Sequence, residues 1–500
     1  MLCFSLSDLM DTRLWSTFTV ATALYLLMTV SVALHCLRQP REPRSLLLWL
    51  FIVFYFPFLG SLLYLLFGIH TVPTKAWHKT ASDKQLDLPG DADPAPRPPR
   101  IYREKIVPLD SASLPPEHQS LDTLLQRLYP DFPLLAGNLV TPLLDPAHAL
   151  DAMRDAIRDA RHHIHLQTYI LGDDAIGHGF IELLEQKARS GVTVRILYDA
   201  FGSTRARLRR FFALSTHAPN FHIHSFTQVN LLKRQFQVNL RNHRKILVID
   251  GRTAFTGGIN LHDAYDPPAS IRDVHFAISG PAVLQLQYTF LCDWFFMADD
   301  PASTLLTPAL FPLPFASGPV LLRTLNTGSA EFPRRYEDAV FALLTRAATR
   351  LWLATPYFIP TDEMQRALRN AAFRGLDVRI LVPGHNDHAY VQHASRSSYA
   401  ELLSAGVRIF ERNPPFSHAK LLLADSAHLL FGSANFDTRS FRLNYETNCL
   451  AFDPALANTL DTFFQNEFKE SQEIHPAAWQ RRPRLQRMLE NFCTLFNPAL

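Results

Sequence analysis

The pattern His-x-Lys, followed after four residues by Asp, occurs twice in this chain: in NHRKILVIDG from Asn242 and in SHAKLLLADS from Ser417. Its surroundings repeat in the same order. IHLQTYIL (from Ile164) and LWLATPYFI (from Leu351) each precede a helix-like segment and then a second strand-like run, SGVTVRILYD or RGLDVRILVP. FHIHSF and VRIFER come next, then the His-x-Lys pattern, then TAFTGGIN or HLLFGSANF, then VHFAISG or TNCLAFD. Short β-branched and aliphatic runs alternating with helical segments predict an α/β architecture. The period is too long for a solenoid. One domain, duplicated, accounts for the order.

Within each copy the spacing carries chemistry. Residues two apart on a strand face the same side, so His243 and Lys245 project together, as do His418 and Lys420. Asp250 precedes Gly251, a hairpin signal. For Asp250 and Asp425 both a turn-forming role and a direct chemical role are open. Gly258 and Asn260 match Ser433 and Asn435 at identical offsets from their histidines. Glycine lets backbone N–H groups approach an anion, and an Asn amide can donate to one. Two such halves facing each other would gather two imidazoles, two ammonium groups and two amides in one cleft. That set suits a phosphodiester: lysine and asparagine neutralise the non-bridging oxygens. One histidine attacks phosphorus while the other protonates the leaving alcohol. Histidine serves either role because it titrates near neutrality.

The N-terminus is of another kind. Leu14–Leu37 and Ser45–Ile69 carry no formal charge, and each exceeds the roughly 20 residues that cross a bilayer as a helix. They predict a membrane hairpin over residues 1–70, with spans at about 14–37 and 45–69. The first run is too long for a signal peptide, and Asp8 and Asp11 precede it. Arg38, Arg41 and Arg44 in the short loop favour a cytoplasmic loop, whereas Lys75, Lys79 and Lys84 pull the other way. The side of the membrane is left open. Residues 71–133 read as a proline-rich juxtamembrane linker, with RIYREKIVPL apolar enough to pack instead. Two domains follow, 134–315 and 316–500, joined near LTPALFPLPFASGPV. A net charge of +3 is too small to imply nucleic acid. Five scattered cysteines without a Cys-x-x-Cys argue against a disulfide framework or a zinc cluster.

The two motifs resemble the HKD motifs of the phospholipase D superfamily. TYIL, NHRKILVIDG, DWFF and NFDTRSFRLNYETN, together with the apolar N-terminus, are similar to the bacterial cardiolipin synthase family from about Leu134 to the C-terminus and in overall order. The resemblance implies a mixed sheet flanked by helices in each half, with the active site at their interface. It implies joining of two phosphatidylglycerols into cardiolipin with release of glycerol, through a phosphohistidine and without metal or cofactor. The partners would be phosphatidylglycerol and cardiolipin, and the location the bacterial inner membrane, multi-pass. His243 is implied as nucleophile and His418 as acid/base. The family also has an acid orienting each histidine: Glu446 fits His418, and Asp273 is the candidate for His243. Gly258 stands where the family pattern often has Ser. A phospholipase-D-type hydrolase, membrane-tethered nuclease or other phosphatidyltransferase shares the covalent half-reaction, and a catalytically dead scaffold would keep the fold.

Other features have plainer readings. RARLRRFF (Arg205–Phe212) and Lys233-Arg234 read as solvated basic faces, available to anionic headgroups near a membrane. His162, His163, His165, His222 and His224 lack the spacing of a metal site. QLQYTFLCDWFF reads as a core helix. Tyr169 and Tyr357 sit at matching strand ends, in the cleft or in the core.

Overall fold

The computed structural model describes residues 6–38, 43–64, 72–87, 99–213, 218–226, 241–265, 271–298, 300–328 and 334–494. It divides into two units, Met1–Thr74 and Lys75–Leu500.

In the first unit the leading apolar run is one helix, Leu6–Arg38. Its Thr19–Arg38 portion, with mean hydropathy 1.9, is long and apolar enough to cross a bilayer. The second run departs from expectation. It is broken into helices Pro43–Tyr55 and Pro57–Leu63, because Pro57 lacks the N–H that would continue the ladder and Phe56 leaves helical geometry (φ −130°, ψ 67°). The shorter helix folds back on the longer one. A Cβ on Gly60 would meet the Ile52 carbonyl oxygen at 2.5 Å, and the Trp49 and Tyr64 rings lie 5.4 Å apart. The described residues therefore show the expected span over 45–69 as two helices, not one. Among the described residues one helix qualifies as a span; residues 65–71 lie outside them.

The second unit is organised on one mixed sheet of fifteen strands. The first half supplies β1 (Leu135–Leu143), β2 (His163–Thr168), β3 (Thr193–Tyr198), β4 (Phe221–Ser225), β5 (Ile246–Ile249), β6 (Thr253–Gly257) and β7 (His275–Ser279). The second supplies β8 (Val320–Asn326), β9 (Arg350–Ala354), β11 (Asp377–Pro383), β12 (Arg408–Arg412), β13 (Leu421–Ala424), β14 (His428–Gly432), β16 (Thr447–Phe452) and β17 (Ser471–Glu473). The short pair β10 (Phe358–Ile359) and β15 (Phe436–Asp437) forms a separate ladder. From the seam outward the order is β1-β7-β6-β5-β2-β3-β4 on one side and β8-β16-β14-β13-β9-β11-β12-β17 on the other. Equivalent strands therefore take equivalent places, and the duplication read from sequence is a duplication of topology. β2-β3-β4 and β9-β11-β12 run parallel, through helical crossovers such as Ala175–Arg189 and Asp362–Phe373.

The seam is the antiparallel pair β1–β8. Asn138 staples it: its side-chain amide donates to the carbonyls of Leu135 (2.7 Å) and Val320 (3.2 Å) and accepts from the Ala282 N–H (2.8 Å). One hydrophobic core continues across, with the Phe276 and Phe431 rings stacked 3.8 Å apart. Central strands such as ILVI (β5) and LLLA (β13) are buried throughout, which is why they read as unbroken apolar runs. The helix Val283–Met297 is buried from Val283 to Trp294, as QLQYTFLCDWFF predicted.

The expected linker is largely structure. Pro115-Pro116 opens a helix, Pro116–Leu128, because proline at the first turn loses no hydrogen bond. Leu121 and Leu125 join the core, and Asp122 meets Arg323 at 2.6 Å with both buried. The Tyr102 ring stacks on Tyr288 at 4.8 Å, so RIYREKIVPL does pack. Residues 88–98 lie outside the described residues.

Candidate active site

Each His-x-Lys segment leaves its own half to pair with the other. Asn242 bridges in parallel to Tyr445, and the His243 N–H donates to the Tyr445 carbonyl at 2.9 Å. Ser417 bridges to Arg272, and the His418 N–H donates to the Arg272 carbonyl at 2.7 Å. These bridges set each histidine beside the acid that follows the bridged residue. His243 Nδ1 lies 2.9 Å from Glu446 Oε2, and His418 Nδ1 lies 2.8 Å from Asp273 Oδ2. The expected pairing within halves is therefore corrected: the dyads cross. Glu446 and His418 share a half in sequence, but the ladder places the acid against the other half's imidazole.

The two carboxylates are held differently. Glu446 is fully buried and also receives Ser433 Oγ (2.6 Å), Ser440 Oγ (3.1 Å) and Asn444 Nδ2 (3.1 Å). Asp273 receives Tyr265 OH (3.1 Å), which also lies 3.4 Å from His418 Nδ1. Gly258 makes this possible, since a Cβ there would meet Asp273 Oδ1 at 2.1 Å. Where the second half uses the Ser433 hydroxyl, the first uses Tyr265, and glycine clears the space. Burial would raise both acids, but the facing histidines and lysines hold Glu446 and Asp273 below the usual carboxylate range.

Both lysines lie just ahead of β5 and β13 and reach back to their histidines. Lys245 Nζ donates to the His243 carbonyl at 2.9 Å, and Lys420 Nζ to the His418 carbonyl at 2.7 Å. Lys420 Nζ also lies 3.0 Å from His418 Nε2, whereas among the described residues His243 Nε2 has no hydrogen-bond partner. Burial pulls Lys245 down to about 7 and Lys420 to about 8. Burial also lowers His243, and burial with Lys420 lowers His418 to about 3. The Tyr169 ring sits edge-on to His243 at 4.8 Å, and Tyr357 likewise to His418 at 6.4 Å.

Asp250 and Asp425 do not join this cluster; of the two roles left open for them, their contacts match the turn-forming one. Both occupy left-handed turn positions (φ 54° and 55°). Asp250 accepts from the N–H groups of Arg161, His162 and His163 at 2.8 Å, and Asp425 from those of Ala348, Thr349 and Arg350 at 2.8–3.2 Å. The four residues of β5 or β13, about 16 Å from end to end of the five steps, separate each from its lysine. Asn260 Oδ1 accepts from the Ile170 N–H at 3.3 Å, and among the described residues the buried Asn435 Oδ1 has no partner.

A third layer was not visible from spacing. Arg244, between His243 and Lys245, points away from them and grips Asp293 with Nη1 2.6 Å from both carboxylate oxygens. It also donates to the carbonyls of Glu446 (3.3 Å) and Thr327 (3.1 Å). Asn242, Gln167 and the buried Lys79 complete the shell of Asp293. DWFF thus contributes an anchor as well as core. Tyr265, Ser440 and Asn444 were also missed; Ser440 and Asn444 lie inside the quoted NFDTRSFRLNYETN, and Tyr265 had no signal. Among the described residues no group of three or more His, Cys, Asp or Glu is arranged to hold a metal ion. His163 and His165 are instead buried in β2 beside Gln287. Arg205 and Arg207 lie on the short helix Thr204–Leu208; Lys233 and Arg234 fall outside the described residues.

Comparison with known proteins bears on this arrangement. Residues 153–285 and 340–468 match the family model described as cardiolipin synthase, PLD-like domain, and residues 27–68 match that described as phospholipase D-nuclease N-terminal. The chain is 34% identical over 468 residues to a cardiolipin synthase of Geobacillus thermodenitrificans, covering 92% of this chain and 90% of that one. It is 34% identical over 481 residues to cardiolipin synthase A of Pseudomonas putida, covering 95% and 96%. Among solved structures, a phosphatidylserine synthase of Haemophilus influenzae superposes with TM-score 0.58 at 16% identity, covering 76% of this chain and 100% of that one, a likeness of fold.

Proposed function

The chain belongs to the cardiolipin synthases of the phospholipase D superfamily, and from that premise we propose that its crossed dyads carry phosphatidyl transfer between two phosphatidylglycerols at the interface of the halves. It is a phosphatidyltransferase. The observation that carries the assignment of roles is the asymmetry at Nε2: His243 keeps that atom unengaged, while Lys420 stands against that of His418.

His243, neutral and oriented through Nδ1 by Glu446, attacks the phosphorus of phosphatidylglycerol with Nε2. The bond to the glycerol headgroup oxygen breaks, and the proton that frees glycerol comes from His418 in its imidazolium form, which the bound phosphodiester anion favours over the neutral form of the free enzyme. Lys245 and Lys420 neutralise the non-bridging oxygens, with Asn260 and Asn435 as further phosphate-binding groups beside Gly258 and Ser433. His418 then takes the proton of a terminal hydroxyl on a second phosphatidylglycerol. That oxygen attacks the phosphohistidine, releases His243 and completes cardiolipin. Each step exchanges one alcohol for another at a similar phosphodiester, so the reaction is close to balanced and needs no nucleotide-activated donor. The apolar helix Leu6–Arg38 supports attachment to the bacterial cell membrane.

The test is incubation of the purified full-length enzyme with labelled phosphatidylglycerol alone, with products resolved by mass. Cardiolipin and glycerol are expected in equal amounts, and added glycerol should return cardiolipin to phosphatidylglycerol. Phosphatidic acid as the sole product at every glycerol concentration, or a strict need for a CDP-linked donor, would overturn this reading.

A further inference from the structure

The helix Arg484–Thr494 lies beyond the segments matched by the domain model, and its polarity is reversed relative to the protein beneath it. Leu485, Met488, Leu489 and Phe492 fall at i, i+3, i+4 and i+7, hence on one face. That face is open: they are 77%, 68%, 45% and 57% exposed. The face turned inward carries the half-buried Gln486, the buried Glu490 and one small apolar contact, Cys493. Glu490 is fully enclosed, accepting from Arg482 Nε and Gln486 Nε2, each at 3.0 Å. A helix held by packing alone would show the opposite arrangement. Single exposed apolar side chains are ordinary, but an aligned stripe of four calls for an occupant.

The rim of the stripe says which. Arg484 is exposed at its edge and Arg481 and Arg487 are exposed close by, and the only acid between Pro476 and Thr494 is the enclosed Glu490. Apolar side chains edged by arginine match an anionic lipid surface, where the stripe enters the acyl boundary and the guanidinium groups meet phosphates. The position matches too. The helix packs on Ala389–Ser397, and Cys493 clusters with Ile359, Val391 and Ala394 against Tyr357, whose ring is the one beside His418.

We propose that Arg484–Thr494 is an interfacial docking helix that seats its apolar stripe in an anionic phospholipid bilayer next to the His418 half of the site. The proposal rests on the phosphatidylglycerol reading above for the nature of the bilayer, and it adds a second membrane contact to the N-terminal helix. Docking here would hold the His418 side of the site close to headgroup depth, where the substrate hydroxyl and phosphate lie.

The experiment uses the full-length enzyme reconstituted in vesicles of phosphatidylglycerol in phosphatidylcholine. With Phe492→Trp, the tryptophan fluorescence in excess of wild type should be quenched by phosphatidylcholine brominated on its acyl chains. Arg484→Glu/Arg487→Glu should weaken that quenching. The pair Met488→Glu/Phe492→Glu should lower turnover in vesicles by about tenfold while leaving turnover of monomerically dispersed short-chain phosphatidylglycerol and the melting temperature unchanged. Absence of quenching would overturn the proposal, as would equal turnover of the Glu pair and wild type in vesicles. A detergent-phase dimer that the Glu pair dissolves, with no quenching, would overturn it in favour of a second copy as occupant. Quenching does not depend on turnover, so a failed synthase reading, seen as no cardiolipin from wild type in either lipid form, is read separately.

Discussion

Glu446 of the second repeat holds His243 of the first, Oε2 to Nδ1 at 2.9 Å, and Asp273 returns the relation to His418. Neither half therefore contains a complete histidine–carboxylate dyad. A carboxylate at Nδ1 fixes the tautomer that leaves Nε2 as the reacting atom and stabilises the cation formed there. Glu446→Gln should lower kcat on the order of 10²–10⁴-fold and abolish trapping of labelled phosphoenzyme, because it disables the nucleophile. Asp273→Asn should lower kcat comparably while phosphoenzyme still forms from a substrate with a good leaving group. The opposite pattern in rapid-quench labelling would exchange the roles of the two histidines.

The pH profile follows from the lysines. Burial lowers Lys245 to about 7 and Lys420 to about 8, and only the ammonium form binds phosphate. As pH rises through that window the free enzyme loses phosphate-binding charge, so kcat/KM should fall there. A bound phosphodiester favours the ammonium, so the corresponding fall in kcat should come at higher pH. On the acid side, burial keeps His243 neutral below the ordinary histidine range, so that limb is displaced downward. Lys245→Arg, although impaired, should push the basic limb upward because guanidinium keeps its charge. A limb unmoved in both Lys245→Arg and Lys420→Arg would show that another group sets it.

Asp250→Ala and Asp425→Ala should affect folding rather than chemistry. Each deletes a carboxylate that accepts three backbone N–H groups and removes a residue tolerant of a left-handed turn. A loss of about 1–3 kcal/mol in denaturant unfolding is expected, with kcat of the folded fraction within about twofold of wild type. A thousandfold loss of kcat at unchanged stability would return them to the catalytic set.

Gly258→Ala should displace Asp273. Its Cβ would meet Oδ1 at 2.1 Å, and that carboxylate is held by Tyr265 and His418. kcat should fall at least about tenfold, and Tyr265→Phe, which removes one donor without crowding, should fall less. Equal activity of Gly258→Ala and wild type would show that Asp273 relaxes freely.

The sequence by itself determined the duplicated α/β plan, the segments leading into β5 and β13 that carry His243, Lys245, His418 and Lys420, and the family. These are local or periodic properties: a strand's period of two sets which residues share a face, and a repeat preserves its order whatever the fold does. Glu446 and Asp273 were legible as acids but assigned to the wrong histidines, because sequence proximity was read as spatial proximity. Partnership is decided by the bridges Asn242–Tyr445 and Ser417–Arg272, which join segments far apart in the chain. Asp250 and Asp425 had two local explanations, and only the amides they meet choose between them. The second apolar run satisfied hydropathy, but hydropathy does not register that Pro57 ends a helix and lets the chain fold back. Arg244, Tyr265 and Lys79 carry no repeated spacing; they matter through buried partners. What the chain's own periodicity encodes was readable from residues alone, and what depends on which distant segment completes a hydrogen bond was settled only when the two halves closed into one sheet.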